Sequence, residues 1–302
     1  TDRVCKIVNE FLNKKNINLQ TTPSIPIPQK INANRKNITK AFLDKQIGQL
    51  HYRITKPKKS TKVPLLCMHM SPNSGKIYEN LMNHLGTDRI CIAPDTPGFG
   101  ESDAPLSAPS IQDYAQSMSD LIDIMKYETI DVIGYHTGSI TCIALALLKP
   151  KLVRRIIQIS CPVYTAEERE ERKFKYGSKP LDPNGKHLTD KWKHMIPFYG
   201  KHVPRWIVKR NFAEGLRGGP FSHWGHQAAF NYDLSTALQK INNPVLVVNP
   251  NDDIVEQTPR GINLIKNSIL YEIKDHGHGF LDIITKDFSE RLRLFLDSDD
   301  PR

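Results

Sequence analysis

The stretch 131–146 reads "DVIGYHTGSITCIALA": an apolar run, a turn bracketed by Gly134 and Gly138, and the start of a helical run. With serine in the middle this would be G-x-S-x-G, the sharp strand-to-helix turn that presents a nucleophile. Here the displayed residue is His136. An imidazole titrates near pH 6.5, so at neutral pH it can take or give a proton. It has no hydroxyl with which to attack a carbonyl and form an acyl ester. A second group of reactive side chains lies in 162–240, with Trp192, His194, His202, Trp206, Arg217, His223, Trp224 and His226. Arg217 precedes Gly-Gly-Pro and is a candidate to hold a carboxylate by paired hydrogen bonds. Tyr135, Arg217, Trp224 and His226 are the substrate-binding candidates. The alternative for "WGHQAAFNY" is a helix that simply packs onto the rest of the domain.

The elements that must position these residues alternate. "KAFLDKQIGQLHYRIT" predicts a hairpin with its turn near residues 45–48. "VPLLCMH", "RICIAP", "IDVIGY", "RRIIQIS", "PVLVVN" and "SILYEIK" predict buried strands. Helices are expected at 75–86, 111–126, 138–149 and 258–267, with a last one near 283–296. Strands that are apolar throughout, and separated by helices, imply a mainly parallel twisted sheet covered on both faces. The fold class is therefore α/β. The insertion 162–240 breaks the rhythm and reads as a helical cap over the strand ends. The expected organisation is a basic N-terminal arm and linker over 1–38, a core over 39–161 and 241–302, and the cap over 162–240. Val4, Ile7, Val8, Phe11 and Leu12 recur at helical spacing, so 3–15 reads as a short amphipathic helix. "TTPSIPIPQK" then excludes helix and reads as an extended linker.

The chain of 302 residues carries a net charge of +10. Residues 1–62 hold 14 Lys and Arg against 3 Asp and Glu, whereas the remainder holds 28 against 29. The excess lies in a segment without aromatic platforms or a recognised module, which argues against nucleic acid as a partner. No apolar run is long enough for a membrane span and no signal-peptide core opens the sequence, so no stable membrane association is expected. Cys5, Cys67, Cys91, Cys142 and Cys161 show no metal spacing and read as reduced thiols, four of them in apolar runs. A cytoplasmic location is the expectation, with a small-molecule substrate as partner and a homodimer left open.

Five motifs in order resemble those of the α/β-hydrolase fold superfamily, over roughly residues 40–298. "CMHMSP" stands where the family has H-G-x-P, and "PDTPGFGESD" matches its D-x-x-G-x-G-x-S turn. "GYHTG" stands at the elbow, "NPNDD" follows a late strand, and "DHGHGFLD" follows the last one. The resemblance implies His136 at the nucleophile position, Asp252 as the acid (Asp253 if the register slips by one), and His278 as the general base (His276 on a slip). Oxyanion donors would be the N–H of Thr137 and one from Met70 or Ser71. His69 would be a structural histidine and Asp95 would fix its turn.

Two residues depart from the pattern: histidine replaces the nucleophile, and Met70 replaces the glycine after His69. Four readings stay open. In the first, His136 and His278 flank a water, with Asp252 orienting His278. In the second, His136 itself attacks. In the third, His136, His278 and Asp252 hold a divalent metal, with His69 as a further candidate ligand. In the fourth, the pocket only binds a ligand. Ser71 is the alternative nucleophile. The reading carried forward is an α/β-hydrolase-type enzyme on a small organic substrate, with a His136/Asp252/His278 acid–base centre and no cofactor or metal. Hydrolysis is the default, and a lyase, decarboxylase or isomerase reaction is the alternative.

Overall fold

The computed structural model describes residues 2–13, 38–45, 48–178 and 181–299. Two compact units, Thr1–Arg35 and Lys36–Arg302, divide the chain. In the first, helix α1 spans Asp2–Leu12, close to the expected 3–15. The proline-bearing linker lies outside the described residues.

In the second unit, eight strands form one sheet: β1 (Ile38–Lys45), β2 (Gly48–Thr55), β3 (Leu65–Met68), β4 (Cys91–Pro94), β5 (Ile130–Tyr135), β6 (Val153–Ile159), β7 (Val245–Pro250) and β8 (Ser268–Ile273). Their order is β1-β2-β4-β3-β5-β6-β7-β8. β1 and β2 form the expected hairpin, β2 pairs antiparallel with β4, and every later pairing is parallel.

The apolar runs follow from burial on both faces. Val132 and Ile156 join one core cluster with Met118, Leu121 and Ile143, on helices α3 (Ile111–Met125) and α4 (Thr137–Leu148). Their neighbours Ile133 and Ile157 join the other, with Leu81, Phe288 and Leu292. Those come from α2 (Glu79–Leu85) and α11 (Thr285–Asp297). Successive strand residues point to opposite faces, so a strand covered twice has no polar alternation to show.

The insertion between β6 and β7 carries α5 (Ala166–Lys175), α6 (Lys186–Met195), α7 (Arg205–Leu216), α8 (Trp224–Asn231) and α9 (Leu234–Leu238). α8 packs against α3, α4 and α5, and α9 against α4, as the packing alternative for "WGHQAAFNY" requires. The expected helix 258–267 is instead a 3-10 helix, Thr258–Leu264. The last helix is preceded by a single turn, α10 (Phe280–Ile283). Among the described residues, no helix is long and apolar enough to cross a membrane. Cys67, Cys91, Cys142 and Cys161 are buried free thiols, and burial pushes Cys91 and Cys161 up to about 12.

The chain leaves β3 for β4 on one side and returns to β5 on the other. Such a reversal opens a crevice at the carboxyl ends of the strands, and the loops after β3 and β5 flank it. One of its walls is tied by Asp95, which is fully buried. Its carboxylate accepts from Arg53 Nη1 at 2.8 Å, from the N–H of Gly75 at 2.8 Å and from that of Glu101 at 2.9 Å, and meets His51 Nδ1 at 2.8 Å. Ser102 braces the same turn by donating to the Asp95 carbonyl at 2.6 Å.

Candidate functional site

At the end of β5 the chain turns sharply into α4. His136 sits at the corner with φ 46° and ψ −111°. For a non-glycine residue this is a sparsely populated region, worth about 1–3 kcal/mol of strain. The corner is held by the His136 N–H donating to the Ile159 carbonyl at 3.0 Å, and by Ser139 Oγ donating to the His136 carbonyl at 2.7 Å. Ser139 therefore faces away from the pocket. The bracketing glycines are required by close approach. A Cβ on Gly134 would lie 2.3 Å from the Gly138 carbonyl carbon, and one on Gly138 would lie 2.0 Å from the Met68 carbonyl oxygen.

Four titratable side chains meet here. His136 Nε2 is 3.0 Å from Asp252 Oδ2 and 3.8 Å from Asp253 Oδ1. His278 Nε2 is 2.9 Å from Asp253 Oδ1, and its Nδ1 is 2.9 Å from the Tyr135 hydroxyl. The two imidazole rings are 5.3 Å apart, centre to centre. Asp252 is held further by the Ser160 hydroxyl, which donates to Oδ2 at 2.5 Å, and by the Ile254 N–H, which donates to Oδ1 at 3.1 Å.

This pairing corrects the sequence expectation. Asp252 does not orient His278; it faces His136, and Asp253 takes His278. The two carboxylates follow each other on the loop leaving β7, so a shift of one residue decides which imidazole each meets. Burial opposes ionisation of both, yet the nearby His136 and His278 hold Asp252 and Asp253 below the usual carboxylate range. For His278 burial acts downward, but the Asp253 hydrogen bond and Asp252 prevail, so it binds its proton more tightly than a free histidine.

The other expected site residues fall in different places. Tyr135 is buried, and its hydroxyl serves His278 instead of a ligand. Arg217 is exposed and donates to the Gly100 carbonyl at 3.1 Å, so it pins a turn and does not enter the crevice. Trp224 packs against Phe221 with the rings tilted and their centres 4.4 Å apart. His69 stands apart from the cluster: its Nε2 accepts from the Thr96 N–H at 2.9 Å and its Nδ1 reaches the Met70 carbonyl at 2.9 Å. That is the structural role foreseen for it, and it removes His69 from the ligand set. Met70 is buried in the α2-side core. Ser71 packs against α8, its Oγ 1.9 Å from where a Cβ on Gly225 would stand. Both nitrogens of His278 are engaged elsewhere, so Ser71 has no base there. Thr137 opens α4, where the first N–H groups of a helix have no intrahelical partner.

His226 stacks near Phe230 at 6.1 Å and Tyr176 at 5.0 Å, with Tyr164 beside Phe230 at 6.0 Å. Burial pushes its pKa down to about 4, and the nearby His136 adds to the effect. Phe198, in the insertion, accepts from the His278 N–H at 2.8 Å through its carbonyl. Two contributors were missed from sequence, Ser160 and the aromatic group Tyr164, Tyr176 and Phe230. Ser160 carried one usable signal: it ends a parallel strand on the carboxyl side, where sites in such sheets form. The aromatics lie in helices and loops with no motif.

The alpha/beta hydrolase fold family model matches residues 63–282. The proline iminopeptidase of Heyndrickxia coagulans is 23% identical over 237 residues, 69% of this chain and 80% of that enzyme. An uncharacterized protein of Mycobacterium tuberculosis is 29% identical over 96 residues, and that match spans 32% of this chain but only 28% of the relative. Among solved structures, an esterase from Exiguobacterium antarcticum superposes with a TM-score of 0.69 at 20% identity, over 83% of this chain and 96% of that one. Strand order, elbow and the matched span agree: the chain belongs to the α/β hydrolase fold family.

Proposed function

We propose that the protein is a hydrolase for a small organic substrate in which water, and not residue 136, attacks the carbonyl. The observation that carries this reading is the imidazole–carboxylate pair at the elbow, His136 Nε2 to Asp252 Oδ2 at 3.0 Å. A carboxylate partner orients an imidazole and stabilises its protonated form, which is the task of a general base. With only protein groups present, a neutral His136 that donates Nε2–H to Asp252 keeps its lone pair on Nδ1. Water oxygen then adds to the carbonyl carbon as its proton passes to the imidazole. Collapse breaks the bond to the leaving oxygen or nitrogen, which departs with that proton. The Thr137 N–H and the loop at Met70 and Ser71 are the proposed donors to the oxyanion. The insertion 162–240 serves as the cap, with His226 and the neighbouring aromatics meeting the substrate. The names of the relatives, a peptidase and an esterase, support hydrolysis as the reaction class. Two imidazole–carboxylate pairs 5.3 Å apart also suit proton transfer between two positions of one substrate, which keeps an isomerase or decarboxylase as the second reading.

A panel of small esters, lactones and amides tests this, run in ¹⁸O-water beside a fluorophosphonate probe. Turnover without covalent labelling is expected. His136→Ala should lower kcat/KM by about 10²–10⁴-fold. A labelled serine, or full turnover in that variant, would falsify the assignment.

A further inference from the structure

We infer that His136, Asp252, Asp253 and His278 together bind one divalent transition-metal ion at the strand ends. The ion's binding stands on geometry alone, while its role in turnover rests on the water-attack reading above. The four ligand atoms lie within 4.8 Å of one another. An octahedral ion with bonds of about 2.1 Å sets adjacent ligand atoms about 3.0 Å apart and opposite ones about 4.2 Å. The observed separations are 3.0 Å for His136 to Asp252, 2.9 Å for His278 to Asp253, and 3.8 Å for His136 to Asp253. These three separations fall in that range.

The outer partners give a second and independent argument. Metal-bound imidazoles donate their other ring N–H to a fixed acceptor, and bound carboxylates are themselves hydrogen-bonded. Here His278 Nδ1 meets the Tyr135 hydroxyl at 2.9 Å, and that hydroxyl lies 3.5 Å from Asp252 Oδ2. Ser160 holds the same oxygen at 2.5 Å. With an ion bound, Nδ1–H would go to the Tyr135 oxygen, leaving the Nε2 lone pair for the ion. A divalent ion would neutralise the two carboxylates. Mixed imidazole and carboxylate ligands suit zinc, manganese or ferrous iron.

Access decides the kind of site. The Asp252 side chain is fully enclosed, whereas those of His136 and Asp253 are 18% and 23% exposed. Four protein ligands with one open side leave room for water on a five- or six-coordinate ion. Such an ion lowers the pKa of its water to about 7 and polarises a carbonyl oxygen.

The test is metal analysis and calorimetric titration of the chelator-treated full chain with Zn²⁺ and Mn²⁺, beside ester turnover with and without EDTA. One saturable equivalent per chain is expected. Asp253→Asn and His136→Ala should each weaken it at least 100-fold with the circular dichroism spectrum unchanged, while His202→Ala, on an exposed residue, should not. Cobalt substitution should give visible d–d bands that Asp253→Asn abolishes. Absence of saturable binding, or binding that these two variants leave intact, overturns the site. Turnover that persists in EDTA with no ion bound overturns the ion's role in turnover and spares water attack. An ion bound in a protein that hydrolyses nothing does the reverse.

Discussion

Position 136 shows how one side chain reassigns its neighbours. In a serine hydrolase the histidine gives one nitrogen to the acid and the other to the hydroxyl. Here His278 spends Nε2 on Asp253 and Nδ1 on Tyr135, so neither is left for a hydroxyl at the elbow. His136→Ser should therefore not restore a serine esterase. We expect no fluorophosphonate adduct by intact-mass spectrometry and turnover no better than that of His136→Ala. Label on the new serine would show that His278 can reorient. The elbow could be read from its glycine bracket, because only a close crossing needs both. The pairing could not, because Asp252 and Asp253 are consecutive and identical in type. Arg217 misled for a related reason: an arginine beside Gly-Gly-Pro has the form of an anion clamp, and only its spatial neighbour, the Gly100 carbonyl, shows it employed elsewhere.

The elements that matter most to the site are β5, β3 and α4, which cross within backbone contact. Gly138→Ala should cost about 3 kcal/mol or more, since its Cβ would meet the Met68 carbonyl oxygen at 2.0 Å and a backbone oxygen has little room to yield. Gly185→Ala is the comparison: φ is +76°, and a Cβ there meets nothing closer than 4.0 Å. Its cost should be about 1–2 kcal/mol, from backbone conformation alone. Urea unfolding midpoints of the two variants measure the difference, and equal losses would remove the case for a tight crossing. α4 can hold this corner because Ile140, Ile143 and Leu145 are fully buried along it. Those residues were legible as a helix, whereas 258–267 was not legible as 3-10, because propensity does not distinguish the two over so short a run.

Across the whole molecule, buried titratable groups set the pH range of stability. His226 has a folded pKa near 4 against an unfolded value of about 6.5. Its unfolded form binds the proton more readily, so stability should fall as pH drops from about 6.5 to 4. Burial is the main cause, and His136, Lys191 and His223 reinforce it while Asp253 opposes it. Asp95, Asp252 and Asp253 are depressed, so their contributions hold above the unfolded carboxylate value and are lost as pH falls through their folded ones. His278 is raised: its contribution is complete below about 6.5 and fades as pH rises through its folded value. His226→Phe should flatten the profile between pH 6.5 and 4 in thermal melts. A wild-type profile already flat over that interval would contradict a neutral imidazole at the half-buried His226.

The α/β architecture, the corner at Gly134–Gly138 and the imidazole displayed there were all readable from residue order. They depend on burial on two faces and on backbone proximity, which leave marks at fixed spacings along a chain. The partnership of Asp252 with His136 and of Asp253 with His278, the hydroxyls of Tyr135 and Ser160 behind them, and the place of Arg217 outside the crevice arose from folding. Those contacts join residues up to 143 positions apart, and their directions depend on the angle at which separate loops leave the sheet, a quantity no local pattern records.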